Sequence, residues 1–356
     1  MEHCEILNSK KYIDCLKETA ALPLPYEKLR GKTILVVGAT GLIGAYLIDS
    51  VMFLNESIDL NCRIFAVGRD EKKLKSFFAC YSESKKINFI SQDVMLPFCA
   101  ELEDCNADYI FHLASNTHPV AYATVPIETI MTNIGGTDRL LDFASRHGLE
   151  RFIYASSVEI YGENRGDIEE FSENYLGYLD CNTLRAGYPE GKRAGEALCQ
   201  AYRAEKKVDV VIPRLSRTYG PTMLMSDSKA ISQFIKKALA KENIVLKSTG
   251  NQLYSYCFVA DAVNALLYCL LLGKNGEAYN ISDKNSNVTL KELAEFLAGY
   301  VDTNVVYEIP NDTEKKGYST ATKAVLDSSK LQNLGWCANY DISQGLKNTL
   351  SILGAD

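Results

Sequence analysis

The stretch Thr33-Ile-Leu-Val-Val37-Gly38-Ala-Thr40-Gly41-Leu42-Ile43-Gly44 decides the fold of this chain. Its first five residues are apolar or β-branched and predict a buried strand, and the run from Gly44 to Met52 predicts a helix. Between strand and helix stand three evenly spaced glycines. A tight turn needs a residue without a Cβ, and a pyrophosphate needs close backbone approach and free N–H groups at a helix N-terminus. A glycine triplet fixed in that context predicts a dinucleotide cradle made of Gly38, Thr40, Gly41, Leu42, Ile43 and Gly44.

Further along, Ile64 to Val67, Ile87 to Ile90, Tyr109 to Leu113, Arg151 to Ala155 and Val208 to Ile212 read as five more short apolar strands, most of them separated by helical segments. Such alternation predicts an α/β fold, a doubly wound parallel sheet of Rossmann type covered on both faces. Residues 31–212 form that domain, and a strand and helix near 255–282 are expected to return to it. Residues 213–254 and 283–356 are left for a smaller C-terminal substrate-binding lobe. Residues 1–30 read as a helical extension, with Ile6, Tyr12, Ile13 and Leu16 on one stripe and Pro23 and Pro25 ending it. A packing or dimer-contact role fits it.

The bulk properties exclude several classes. The chain has 356 residues, and 38 basic against 45 acidic side chains give 38 − 45 = −7, so neither nucleic acid nor an anionic membrane is an expected partner. An anionic small substrate needs only a local positive site. Eleven cysteines without a C-x-x-C pair read as reduced thiols of a cytoplasmic protein with no metal site. No signal peptide or spanning segment is expected. The most apolar run, Ala262 to Leu272, is short and contains Asn264, as a buried helix would.

The second strand ends Val67-Gly68-Arg69-Asp70, where an acidic residue would bind a ribose 2′-hydroxyl and repel a 2′-phosphate. Gly68 takes the acidic place and Arg69 follows, which suits NADP. An inward Asp70 would select NAD. NAD is the expected cofactor, with NADP as the alternative.

Tyr188-Pro-Glu-Gly-Lys192 puts a tyrosine and a lysine on one face of a helix. A free tyrosine titrates near about 10, and a nearby ammonium would lower that value toward use as a base. Ser156 and Ser157 follow the fifth strand, where a hydroxyl can meet both a substrate oxygen and the tyrosine.

With these residues the chain resembles the extended short-chain dehydrogenase/reductases, within them the nucleotide-sugar epimerase/dehydratase/decarboxylase group. The resemblance runs from about Lys32 to Leu350. Asp93-Val94 is similar to the family's adenine-contacting pair, and His112-Leu113-Ala114-Ser115 to its fourth-strand motif beside the cofactor. Asn133-Ile-Gly-Gly-Thr137 resembles its N-x-x-G-T segment, and Arg214-Leu-Ser-Arg-Thr-Tyr-Gly-Pro221 its R-x-x-x-x-Y-G-P. Tyr279-Asn-Ile-Ser282 and Leu334-Gly-Trp336 match later landmarks. The resemblance implies a nucleotide-diphosphate sugar as substrate, a homodimer, and oxidation at C4 to a 4-keto intermediate. In that scheme Tyr188 takes the hydroxyl proton, Lys192 holds the ribose, Ser157 positions the sugar oxygen, and Arg69, Asn133 and Arg214 join the cofactor contacts.

Ser157-Val158-Glu159 bears on the choice of reaction. The family's 4,6-dehydratases read Thr-Asp-Glu there, its UDP-glucuronate decarboxylases Thr-Ser-Glu, and its 4-epimerases a neutral third residue. Glu159 points past simple epimerisation, because a carboxylate can serve as acid or base. Val158 points away from dehydration of the dTDP-glucose 4,6-dehydratase kind. The helix Tyr188 to Glu196 looks most like the decarboxylase version. Tyr254 stands where relatives carry a substrate-binding arginine, and Arg217 where they carry asparagine, so the positive charge has changed sides of the pocket. Arg217 is thereby a candidate diphosphate ligand. His118 is a candidate lining residue, and the long loop from Glu163 to Gly187 reads as a lid or a surface insert. The alternatives are an NADP-dependent reductase or simple epimerase. A cofactor-sensing protein without catalysis would tend to lose the tyrosine or lysine.

Overall fold

The apolar run Thr33–Val37 forms strand β1, buried at every position. The computed structural model describes residues 3–117, 119–308 and 321–354. After β1 come β2 (Arg63–Gly68), β3 (Ile87–Ser91), β4 (Tyr109–His112), β5 (Arg151–Tyr154) and the short β6 (Ser156–Ser157). Then follow β7 (Val210–Leu215), β8 (Arg217–Tyr219), β9 (Ile244–Leu246), β10 (Leu253–Phe258) and β11 (Ala278–Ile281). The main sheet runs β11-β7-β5-β4-β1-β2-β3, with β6 beside β7, and its pairings are parallel.

Alternation along β1 sorts the core into two layers. Ile34 and Val36 pack with helix Leu42–Ile58 and helix Val259–Leu272. Leu35 and Val37 pack on the other face with helix Thr137–His147 and Cys199 of helix Gly187–Lys206. The chain winds outward from β1 to β3, then crosses back to β4 on the other side of β1. That reversal opens a crevice at the carboxyl ends of β1 and β4, the place where open α/β sheets bind ligands.

The N-terminal segment is part of this core. In helix Lys10–Ala20, Tyr12, Cys15 and Leu16 are buried. Tyr12 Oη donates to Asp49 Oδ2 at 2.5 Å, Tyr81 Oη to Asp49 Oδ1 at 2.9 Å, and His3 Nε2 lies 3.2 Å from Oδ1. A fully buried carboxylate is thereby satisfied by partners from three segments.

Outside the main sheet, β10 pairs with β8, β12 (Asn287–Thr289) and β14 (Lys323–Ala324), while β13 (Val305–Tyr307) pairs with β9. The long loop after Gly162 is stitched to this part of the molecule. Phe171 is fully buried, its N–H donates to Val325 O at 2.7 Å, and its carbonyl accepts from Asp327 N at 3.0 Å. A Cβ on Gly177 would fall 1.7 Å from Tyr161 O, so the loop backbone packs directly on the turn Val158–Tyr161. An anchored arm is found there in place of the expected lid or free insert.

Candidate active site

The glycine loop is shaped by close approach. Gly38 has φ +94°, and a Cβ there would fall 2.8 Å from Ala114 N; on Gly44 it would fall 2.4 Å from Gly38 O. Gly41 caps helix Leu42–Ile58 without a side-chain bond, leaving first-turn N–H groups for a ligand. These residues, with Thr40, Leu42 and Ile43, line a cavity of about 950 Å³. A bare N-terminal turn facing so large a cavity fits the pyrophosphate of a dinucleotide.

The neighbouring walls come from β2, β3 and β4. Leu113, Ala114, Ser115, Asp93 and Val94 line the same cavity. Asn133 is fully buried and is not among the lining residues; it accepts from Ser115 Oγ at 2.9 Å and donates to Thr129 O at 2.8 Å. It sits in a π-helical turn, Thr132–Gly136, a local widening that recurs at functional sites. Arg69 lines the cavity too, but its guanidinium is paired with Glu128 at 2.7 Å. Asp70 caps helix Glu71–Phe77 through Lys73 N, which commits its carboxylate elsewhere.

Tyr188 and Lys192 stand one turn apart on helix Gly187–Lys206, and Ser157 closes the triad from β6; all three line the cavity. Burial pushes the Tyr188 hydroxyl up to about 12; the Ser157 hydrogen bond and the Arg185 charge oppose that, while Glu159 adds to it. Burial also pulls the Lys192 ammonium down to about 7, with Glu196 resisting. Lys192 Nζ donates to Ala155 O at 2.7 Å and lies 6.0 Å from the Tyr188 ring centre. Desolvation dominates both groups, and the cation that opposes it at Tyr188 is Arg185.

Glu159 follows Ser157 by two residues and is flanked by two arginines. Arg185 Nη2 donates to Glu159 Oε2 at 2.7 Å, and Arg217 Nη2 lies 3.7 Å from Oε1. Burial would raise this carboxyl, but the two guanidiniums hold it below the usual carboxylate range. Each arginine also rests on an aromatic ring, Arg185 over Tyr122 at 4.7 Å and Arg217 over Tyr254 at 3.3 Å. Tyr122 in turn stacks on Tyr188, with ring centres 4.9 Å apart. Buried Nε and Nη1 of Arg185 and Nη1 of Arg217 have no hydrogen-bond partner among the described residues. Two positive charges against one negative leave this wall of the cleft net cationic.

The remaining sequence candidates divide. Ser156 is buried and its hydroxyl donates to Glu196 Oε1 at 2.5 Å. Arg214, expected at the cofactor, is turned away. It pairs with Glu196 at 2.7 Å and donates to Glu173 O at 2.7 Å, because an acid one turn beyond Lys192 claims it. Tyr254 lines the cavity and donates to Ala321 O at 2.7 Å. His118 lies outside the described residues. The sequence marks Arg185 only as part of the long loop from Glu163 to Gly187, without a role in the chemistry, and does not single out Tyr122. Arg185 stands three residues before Tyr188, a spacing that could have flagged it; Tyr122 carries no such signal. Among the described residues no group of side chains suits a metal ion, and no helix is long and apolar enough to cross a membrane. All eleven cysteines are free thiols.

Residues 34–282 match the model of the NAD dependent epimerase/dehydratase family. UDP-glucuronic acid decarboxylase 2 of Arabidopsis thaliana is 31% identical over 95% of this chain and 72% of the relative. The UDP-glucuronic acid decarboxylase 1 of Xenopus tropicalis is 30% identical over 90% of this chain and 71% of its own. Among solved structures, the UDP-glucuronic acid 4-epimerase of Bacillus cereus, in complex with UDP-glucuronic acid and NAD, superposes with a TM-score of 0.77 at 20% identity, covering 90% of this chain and 98% of that one. The dTDP-glucose 4,6-dehydratase of Streptomyces venezuelae, solved with NAD, gives 0.76 at 22% identity over 90% and 96% of the two chains. These two likenesses are of fold.

Proposed function

This chain belongs to the NAD dependent epimerase/dehydratase family, and from that premise we propose that it decarboxylates a nucleoside-diphosphate hexuronate. It is an NAD-dependent nucleotide-sugar enzyme whose chemistry runs through C4 oxidation to a 4-keto intermediate. The observation that carries the finer reading is Glu159 held between Arg185 and Arg217, with Val158 beside it. Loss of water from C6 needs an acid to protonate the leaving hydroxide. Val158 has no proton to give, and Glu159 is kept ionised. A 4-keto hexuronate is a β-keto acid, which releases carbon dioxide without such an acid. The net cationic wall also suits a sugar that carries a carboxylate.

NAD, when bound in the cleft of the glycine loop, supplies a reversible acceptor for the hydride that leaves the sugar carbon. Gly38, Gly41 and the first turn of helix Leu42–Ile58 would hold its pyrophosphate, with Asp93, Val94 and Leu113 to Ser115 along its flank. Tyr188, as the phenolate, takes the C4 hydroxyl proton at its phenolic oxygen, Ser157 and Arg185 opposing the burial that raises it. Ser157 hydrogen-bonds Tyr188 and orients the sugar oxygen, and Lys192, buried against Ala155 O, would reach the ribose. Arg217, seated on Tyr254, would hold a substrate anion. The unpaired thiols fit a reducing compartment, and we place the enzyme in the cytoplasm. A homodimer fits the exposed apolar side chains of Ile127 and Met131 on helix Pro126–Met131; light scattering of the purified protein decides it.

Incubation with NAD and UDP-glucuronate, followed by anion-exchange separation and a carbon dioxide assay, tests the reading. Equal yields of carbon dioxide and a UDP-pentose are expected. A UDP-hexuronate epimer as sole product, or no product, would overturn it.

A further inference from the structure

Arg185 enters the cleft from the short turn Leu184–Ala186, at the end of the arm that packs through Phe171 and Gly177. Its guanidinium makes two contacts of different kinds, an ion pair with Glu159 and a stack on Tyr122. Through the first it reaches the acid beside Ser157, and through the second the ring that lies on Tyr188. Its side chain is 13% exposed, so the pair with Glu159 is screened little by solvent.

We propose that Arg185 is a positioning residue that holds Glu159 as a fixed anion and sets the Tyr188 ring through Tyr122, so that Glu159 acts by charge and carries no proton. This rests on Tyr188 being the base, as argued above, and it departs from the acid–base role that the sequence suggests for Glu159. The charged and titratable groups facing this pair come from every neighbouring element. Arg217 of β8 faces Glu159, with Tyr254 of β10 beneath it; Lys192 and Tyr154 face Tyr188, and Asp227 lies within reach of Tyr122. Of these only Arg185 contacts both sides, so its removal changes the ionisation of Glu159 and the seat of Tyr188 together. Arg217, farther from the carboxylate at 3.7 Å, is the weaker clamp.

The test reads Glu159 directly. Protein labelled with carboxyl-13C glutamate is titrated by NMR, with the Glu159 signal assigned by its loss in Glu159→Gln. In the wild type it is expected to titrate below the ordinary carboxylate range. Arg185→Gln should raise the midpoint by about one to two units, and Arg185→Lys, which keeps the charge, should restore most of the depression. An unchanged midpoint in Arg185→Gln with native circular dichroism overturns the proposal. So does a wild-type midpoint in the ordinary range. On UDP-glucuronate, Arg185→Gln should lower kcat about tenfold or more and Arg185→Lys should recover most of it; an unaltered kcat counts against the positioning role. If wild-type protein does not turn over UDP-glucuronate, the proposed function fails, while the Glu159 titration still decides the role of Arg185.

Discussion

The guanidinium carbon of Arg217 lies 3.3 Å from the centre of the Tyr254 ring. The family resemblance read in the sequence leads one to expect an asparagine at the first position and an arginine at the second. Their strands pair, with Arg217 opposite Tyr256 and Tyr254 two residues earlier. The Arg217 charge is thus rooted on β8 and steadied by the Tyr254 ring from the paired strand β10. Arg217→Asn should reduce kcat/KM for a nucleotide-sugar about 10- to 100-fold, and Tyr254→Arg in that background should recover part of the loss. Failure of the second change to help would mean that the two sites are not equivalent supports for one charge.

Tyr188→Phe removes the hydroxyl that takes the substrate proton but keeps the ring stacked on Tyr122. Turnover should fall by about a thousandfold or more, while NAD still binds by calorimetry. A variant within a few-fold of wild-type rate would remove Tyr188 from the mechanism.

Gly44→Ala sets a Cβ 2.4 Å from the Gly38 carbonyl oxygen, a backbone atom that cannot swing aside. The loop must shift, at a cost of about 1–3 kcal/mol. Thermal unfolding should show that loss, and NAD affinity should fall with it. Unchanged binding would separate the loop from the cofactor.

Lys192 gives a pH signature. An unfolded lysine titrates near about 10.4, the buried one near about 7. Between those values the unfolded chain binds more protons, so this group makes stability rise with pH across the window and lowers it toward the acid end. Lys192→Met should remove that slope. Urea unfolding of both proteins at several pH values checks it; curves that run parallel would show that Lys192 is not held neutral by burial.

The fold and half of the site are legible in the chain because both rest on local spacing. The glycine triplet lies between a strand and a helix, and the Tyr188–Lys192 pair is one helical turn. What escaped depends on distant partners. Arg214 sits in the expected order along the chain, yet Glu196 draws it from the cleft. Asn133 keeps its place but serves Ser115 from beneath. The four-residue spacing of Tyr188 and Lys192 likewise does not report that both groups are desolvated. Arg185 and Tyr122 meet only because the arm after Gly162 is pinned at Phe171 and Gly177, contacts that no periodicity reveals.

UDP-glucuronate carrying deuterium at C4 addresses the central claim most directly. Oxidation and re-reduction at C4 within one active site predict a UDP-pentose that keeps the deuterium at C4, equimolar carbon dioxide, and no net reduction of NAD. Loss of the deuterium to solvent, or reduced nicotinamide accumulating in step with product, would contradict it.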